Sequence, residues 1–426
     1  VTAPPVGPVH MTTVAWPESA DDDESAEVPV LAWQDARAVA RGSAPEPLPA
    51  VTLALADALD HALAEPLTAL TDLPPFATSA MDGWAVAAPA PGPWTLLPGA
   101  VTAGAEPEPL VAGSAAPIAT GARVPLHTTA VIRSERGYVG SDGLLHHRGP
   151  GPLLPGCDIR PQGQECLRGE PLLAGGVTVT PTVLGLAAAS GYDHLVVHRR
   201  PTVDLLVLGD ELLRSGLPQG GRIRDALGPM LGPWLTSHGA RVSDRQLVAD
   251  DLGLLREAIE TSVADVIITT GSTAAGPRDF LHAALREIGA RLVVDSVAVR
   301  PGHPMLLAQL PPRDGRRRHL IGLPGNPLAA AVGAMTLAVP LLRQLGGHRA
   351  AGPLRVPAAV ALAGHPRDTR LCPVTRSDEG AIPLHFDGPA MLRGLAIADG
   401  LAVVEPGGVA AGALVEVLDL PLARLH

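Results

Sequence analysis

At 426 residues the chain is too long for one ordinary hydrophobic core, so several domains are expected. Apolar residues make up 46% but aromatics only 2%, so the cores must be built from Ala, Val and Leu, with 47 Gly and 45 Pro dividing many short elements. The formal charge of −11 argues against a nucleic-acid binder, which would carry a basic stripe, and all 32 cationic side chains are Arg.

In chain order, residues 1–28 are rich in Pro, Ser and Asp, include the acidic run Asp21–Glu24, and read as a disordered tail. From Leu31 to Leu70 apolar residues recur at three and four, in WQDARAVARG and again in LALADALDHALAEPL, which predicts helices. Residues 76–149 change to short strands with Pro and Gly turns, a β-rich insertion. The cluster RGPGPLLPG separates it from a second helical stretch around Val183–Ser190, so 29–75 and 150–195 read as one discontinuous domain. Strand and helix then alternate across 196–350, from VDLLVLGDEL through DLGLLREAIETSV to DVIITTGSTAAGPRDF, which predicts a doubly wound α/β domain. Residues 351–426 return to short β segments, read as a small barrel or sandwich.

Cys157, Cys166 and Cys372 form neither a metal-type pair nor an even disulfide set, which suits a reducing cytoplasm. No apolar run reads as long enough to span a bilayer, and the N-terminus lacks the order of a signal peptide, so a soluble cytoplasmic protein without membrane association is expected.

Three strand ends of the α/β domain carry acidic residues: Asp210 and Glu211, then Asp250 and Asp251, then Asp279. Converging carboxylates suit Mg²⁺ or another divalent cation that is shared with a substrate phosphate. Each could equally be a helix cap or first-turn acid. The loop Gly271–Gly276 permits a tight turn near a ligand, or simply a turn. VAVRPGHPMLL reads as a strand entering a rigid turn. LIGLPGNPLAAAVGAM reads as strand, turn, and a helix starting at Pro327 with Asn326 as its cap, whose backbone N–H groups would offer an anion site. Upstream, LPPFATSAMDGWAV presents Ser79 and Asp82 from a rigid turn.

Taken together these segments resemble the molybdopterin molybdenumtransferases, bacterial MoeA and the gephyrin E-domain, over roughly residues 30–420. The resemblance rests on LPPFATSAMDGWAV, PIATGARVP with VIRSE, IRPQGQECLRGEPLL, RRPTVDLLVLGDEL, DVIITTGSTAAGPRD, VRPGHP, LIGLPGNP and GPAMLRGLAIADGLAVVEPG, all in the family's order. It implies a multidomain α/β protein that dimerises. Its parts would be an elongated helical and β domain, the β-rich insertion, a molybdopterin-adenylyltransferase-like α/β domain and a C-terminal β-barrel. It implies insertion of molybdate into adenylylated molybdopterin with release of AMP and help from a divalent cation, with the molybdopterin adenylyltransferase a candidate partner. Carried over by motif, Glu211, Asp251 and Asp279 would be catalytic and metal-binding, with Asp82 a further catalytic residue. Substrate would meet Thr120, Glu165, Asp225, Gly271, Ser272, Gly276, Arg300, His303, Pro304, Gly325 and Asn326. Asp82 and Thr120 would reach a partner subunit's crevice.

The sequence departs from the family's pattern in places. Leu208 stands for a threonine, Asp225-Ala226-Leu227 loses an amide, and Glu165 replaces an aspartate. Two lysines become Arg300 and His303, and Ala274 and Ala329 replace serines. The changes fall mostly on the molybdate side, which leaves two alternatives: a paralogue that binds the nucleotide without efficient insertion, or a pyrophosphohydrolase of another adenylylated substrate.

Overall fold

The helix expected at the start of the chain forms as Trp33–Gly42, because Trp33, Ala36 and Ala40 fall on one stripe and are buried. That stripe packs on the helix Val339–Leu345 and the turn before it, and Trp33 Nε1 donates to Thr336 Oγ1 at 3.0 Å. The computed structural model describes residues 29–88, 92–271, 273, 280–350 and 352–421. The tail expected at 1–28 lies outside the described residues.

The second helix expected before Leu70 does not form. Ala50–Ala54 is a strand, antiparallel to His194–His198, and only a three-residue helical turn, Leu55–Asp57, follows it. Asp60 sits at φ 62°, which no α-helix accommodates, and Leu67–Thr68 pairs with Pro171–Leu173. Ala58, Leu63 and Leu67 are nonetheless buried, against Val179, Val183, Ala187 and Val197. The apolar positions were therefore correctly read as core, but distant strands, not a local helix, satisfy the backbone. The helix Pro181–Ala189 forms as expected, with Pro181 in its first turn and Thr180 Oγ1 accepting from Val183 N.

The β-rich stretch gives a six-stranded sheet with Gly83–Ala87 between Thr128–Arg133 and Ser114–Ile118. Alternate residues bury on opposite faces: Ala85, Ala87 and Val131 on one, Val86, Ala130 and Ile132 on the other.

The central sheet runs Arg241–Val248, Thr202–Leu208, Val266–Thr270, Arg316–Leu323, Leu306–Arg313, Arg291–Asp295. The first four strands are parallel and the last two antiparallel additions. Its middle strands read as unbroken apolar runs because both faces are covered: Leu205 and Val207 face one cluster, Leu206 and Ile267 the other. From Thr202–Leu208 the chain steps outward to Arg241–Val248 and then returns to the other side at Val266–Thr270. That reversal opens a crevice beyond the carboxyl ends of the strands.

The strand Val297–Arg300, read as part of this α/β unit, joins the C-terminal sheet instead. It pairs in parallel with Leu31–Ala32 on one side and Thr369–Ser377 on the other, so segments far apart in sequence complete that seven-stranded sheet. One further expectation fails: Pro327–Leu345 is a continuous helical run of 19 residues, long and apolar enough by composition to cross a membrane. Of its apolar window 83% is buried inside the protein, so here it is the central core helix.

Candidate active site

A cavity of about 1060 Å³ lies at the crevice the topology predicts, beyond Leu208, Thr270 and Leu323. Glu211, Asp225, Gly271, Pro304, Gly325 and Asn326, all expected site residues, line it. Glu211 reaches the cavity from a turn that starts at Gly209. A β-carbon on Gly209 would lie 2.7 Å from Glu211 Oε2, and its φ of +142° is itself unfavourable for other residues. Asp225 accepts from Gly228 N at 2.9 Å and so holds the first turn of the helix Leu227–Ser237. Gly271 N donates to Leu323 O at 2.8 Å, tying the glycine loop to the neighbouring strand end.

The three-carboxylate set is not assembled among the described residues. Asp251 does not line the cavity: its Oδ1 accepts from Leu254 N at 2.8 Å, so it caps the helix Leu252–Thr261. Its neighbour Asp250 lines the cavity instead, and Asp210 Oδ1 accepts the Asp250 amide at 3.2 Å. The apolar run that starts just after Asp251 was the signal for a cap. Asp279, Ser272 and Gly276, with Ala274, lie outside the described residues. No group of three or more His, Cys, Asp or Glu side chains able to hold a metal occurs among the described residues. Glu211 and Asp250 remain as a pair on the cavity wall.

A second cleft of about 330 Å³ adjoins the first and shares Pro304, Pro324 and Asn326 with it. Arg300, His303 and Ala329 converge there as expected, joined by Arg370 and Asp387 from the C-terminal sheet. Arg300 and Arg370 are direct partners across the parallel strand pair, which brings both residues to the wall of this cleft. Each is held by its own carboxylate, Arg300 by Asp368 at 2.8 Å and Arg370 by Asp387. His303 Nδ1 lies 2.7 Å from Val297 O. A carbonyl only accepts, so Nδ1 carries the proton, and Nε2 can donate to an anion only in the imidazolium form. Sequence reasoning missed Arg370 because nothing in TRLCPV marks it; only the pairing of Thr369–Ser377 with Val297–Arg300 brings it here.

The helix start at Pro327 differs from expectation in one respect. Leu328 N and Ala329 N both donate to Pro389 O, at 2.9 and 3.3 Å, so a protein carbonyl takes the donors that an anion would have used. Asn326 stands at the cap position, but its side chain makes no capping hydrogen bond and is exposed between the two clefts.

Besides Asp251, three expected residues among those described lie outside both clefts. Asp82 Oδ1 accepts from Thr120 N at 2.7 Å on the six-stranded sheet, and the Thr120 amide and hydroxyl hold that carboxyl below the usual range. Glu165 lines a separate hollow of about 500 Å³ beside Leu73, Pro74 and Arg160.

A doubly wound sheet with a crevice beyond its strand ends, lined by Glu211, Asp225 and Asp250 and adjoining a cleft with Arg300 and Arg370, is the place where α/β proteins bind their ligands. Family models match nearly the whole described chain. The MoeA N-terminal region (domain I and II) covers 31–191, the "Probable molybdopterin binding domain" 204–344, and the MoeA C-terminal region (domain IV) 355–420. A molybdopterin molybdenumtransferase from Synechococcus elongatus is 34% identical over 70% of this chain and 75% of its own length. One from Staphylococcus aureus is 30% identical over 70% and 72%. A crystal structure of a molybdopterin biosynthesis MoeA protein from Pyrococcus horikoshii matches 92% of this chain and 99% of its own, with TM-score 0.71 and 25% identity. A second MoeA structure from that organism matches 91% and 99%, with TM-score 0.74 at 19% identity. The chain belongs to the molybdopterin molybdenumtransferase family, enzymes of molybdenum cofactor biosynthesis. These matches favour the transferase reading over the two alternatives.

Proposed function

We propose that this chain inserts molybdenum from molybdate into adenylylated molybdopterin and releases AMP. The observation that carries the reading is the pair of adjoining clefts, one acidic and one cationic, with Asn326 exposed where they meet. Arg300 and Arg370 suit a dianion such as molybdate, because guanidinium donors are charge-assisted partners for oxyanions, and His303 lines the same cleft. The larger cavity has room for the pterin nucleotide. Glu211 and Asp250 are the groups that would hold a divalent cation together with substrate phosphate oxygens, and such an ion would neutralise charge developing on the pyrophosphate. Asn326 can orient a substrate oxygen with its amide, and the shared apolar wall of Pro304 and Pro324 limits water where the clefts join.

We further infer a cytoplasmic homodimer, arranged as the elongated domain of 29–75 and 150–195, the insertion 76–149, the α/β domain 196–350 and the C-terminal domain. Supporting the dimer, Asp82, Thr120 and Glu165 line neither cleft of their own protomer. Asp279, Ser272 and Gly276 keep their proposed roles at the glycine loop. Purified protein given adenylylated molybdopterin, Mg²⁺ and molybdate should release AMP only when molybdate is present. AMP release indifferent to molybdate would overturn the proposal.

A further inference from the structure

A third cleft, of about 610 Å³, shares no lining residue with the two described above. It lies between the helix Trp33–Gly42, the end of the core helix and the edge of the C-terminal sheet at Arg355–Pro357 and Leu414–Asp419. Four arginines line it: Arg37, Arg41, Arg343 and Arg355. Nothing in the reaction proposed above uses them.

Their pairing is unlike that of the chain's other strongly held arginines. Arg133, Arg199, Arg300 and Arg370 each meet a carboxylate. Among the described residues none of the four cleft arginines forms an ion pair, although acids outnumber bases 43 to 32 in the chain. Arg37 donates to Met335 O and lies 4.8 Å from the centre of the Trp33 ring. Arg41 Nε donates to Gln344 Oε1 at 3.1 Å and Arg343 to Arg349 O at 3.4 Å. Arg355 has no side-chain hydrogen bond among the described residues. Of the two carboxylates on the wall, Asp419 is already paired with Arg376 at 3.0 Å; Glu416 stands opposite Arg355 across the antiparallel strand pair and its charge partly offsets Arg37, but it forms no ion pair with any of the four among the described residues.

This arrangement costs stability. Burial pushes the Arg37 and Arg343 guanidiniums below their ordinary range, and Arg41 lowers Arg343 further. Neutral carbonyl and amide partners, with Glu416 as the one carboxylate not already paired, do not fully offset four guanidiniums around one hollow. An anion would. One wall is apolar, at Val339, Pro340 and Leu354, which leaves room beside the charges for a small organic body.

We propose that this cleft binds a compact polyanion, a ligand carrying several phosphate charges, held by Arg37, Arg41, Arg343 and Arg355. The inference is independent of the molybdenum-transfer reading, because its test requires no turnover. Inorganic tripolyphosphate is titrated into the full-length protein by calorimetry, without molybdopterin, molybdate or cation. Three variants accompany the wild type: the double change Arg41→Ala with Arg355→Ala, Arg300→Ala, and one with Asp21, Asp22 and Asp23 replaced by Asn and Glu24 by Gln. Arg41 and Arg355 are exposed, so the double variant should melt as the wild type does. Saturable binding should weaken at least about tenfold in the double variant, the loss of roughly 1.4 kcal/mol of charge-assisted contact, and stay unchanged in Arg300→Ala. ATP in place of tripolyphosphate should bind through the same two arginines and tighter if the apolar wall takes part. The proposal fails if no saturable binding occurs, if the double variant binds like wild type, or if Arg300→Ala removes the binding. It fails also if binding appears only once the acidic run 21–24 is neutralised, since the chain's own carboxylates would then be the occupant.

Discussion

Asn326 provides a test that separates a structural role from a functional one. Its position, just before Pro327 and a buried helix, is that of a helix cap, and an ordinary Asn cap replaced by Ala costs about 1 kcal/mol. Here the side chain makes no capping bond, and the Leu328 and Ala329 amides already donate to Pro389 O at 2.9 and 3.3 Å. Asn326→Ala therefore removes no hydrogen bond among the described residues. Its melting midpoint should stay within about 1 °C of wild type, whereas loss of a working cap would lower it by roughly 2–4 °C in a domain of 150–250 residues. The side chain instead lies exposed where the acidic and cationic clefts meet. Loss of one hydrogen bond to a charged substrate group costs about 1.5–3 kcal/mol, so kcat/KM for molybdate-dependent AMP release should fall roughly 10- to 100-fold. The pair of measurements is the assay: scanning calorimetry of the apo protein beside steady-state kinetics. A variant that melts several degrees lower yet turns over normally would refute the reasoning, and Asn326 would then be a cap after all.

Asp265 and His348 carry the sharpest stability predictions. Burial pushes the Asp265 carboxyl up. The Arg199 guanidinium at 2.8 and 2.9 Å and the Thr202 amide and hydroxyl outweigh it and hold that carboxyl below the ordinary range. Asp265→Asn should destabilise by about 3 kcal/mol, the low end for a broken buried pair because Arg199 keeps some contact with water, and thermal melting at pH 7 checks it. A depressed carboxyl contributes stability above its unfolded pKa that is lost as pH falls through its folded one. The variant should accordingly lose the part of acid unfolding that lies below about pH 3.9. His348 works in a different window. Burial first, then the Arg343 and Arg200 charges, lower its imidazole to about 4, so the native state holds it neutral while the unfolded chain binds a proton near pH 6.5. Stability should fall by about 3 kcal/mol as pH drops from roughly 6.5 to 4. His348→Gln should flatten that slope in a denaturation series across those pH values, and an unchanged slope would assign it to other groups.

Much of the crevice was legible because its determinants are local. A buried apolar strand, a glycine at positive φ and an acid or cap after it must be adjacent in sequence to work, which is why Glu211, Gly271 and Asn326 could be marked before any coordinates. The same local physics explains one misassignment: Asp250 and Asp251 are equivalent as letters, and the helix that begins at Leu252 takes Asp251 as its cap, leaving Asp250 on the cavity wall. The segment before Leu70 went wrong for a related reason. Its Ala and Leu spacing records which residues are buried, and burial against distant strands produces that spacing as readily as a helix does.

Composition and pattern by themselves determined the α/β class, the alternation that builds the central sheet, the aromatic-poor cores and the acidic character of the first compartment. Tertiary structure alone decided the cationic compartment. Arg300 and Arg370 are 70 positions apart and become neighbours only because Val297–Arg300 leaves the α/β unit to pair in parallel with Thr369–Ser377. It also decided that Pro389 O should occupy the amides at the start of the core helix, and that four arginines with no ion pair among the described residues, from the first helix, the core helix and the C-terminal sheet, should share one cleft. The physical reason is the same in each case. Secondary structure is encoded by neighbours within a few residues, whereas charge pairing and cleft formation depend on which elements pack together, and sequence spacing does not record that distance.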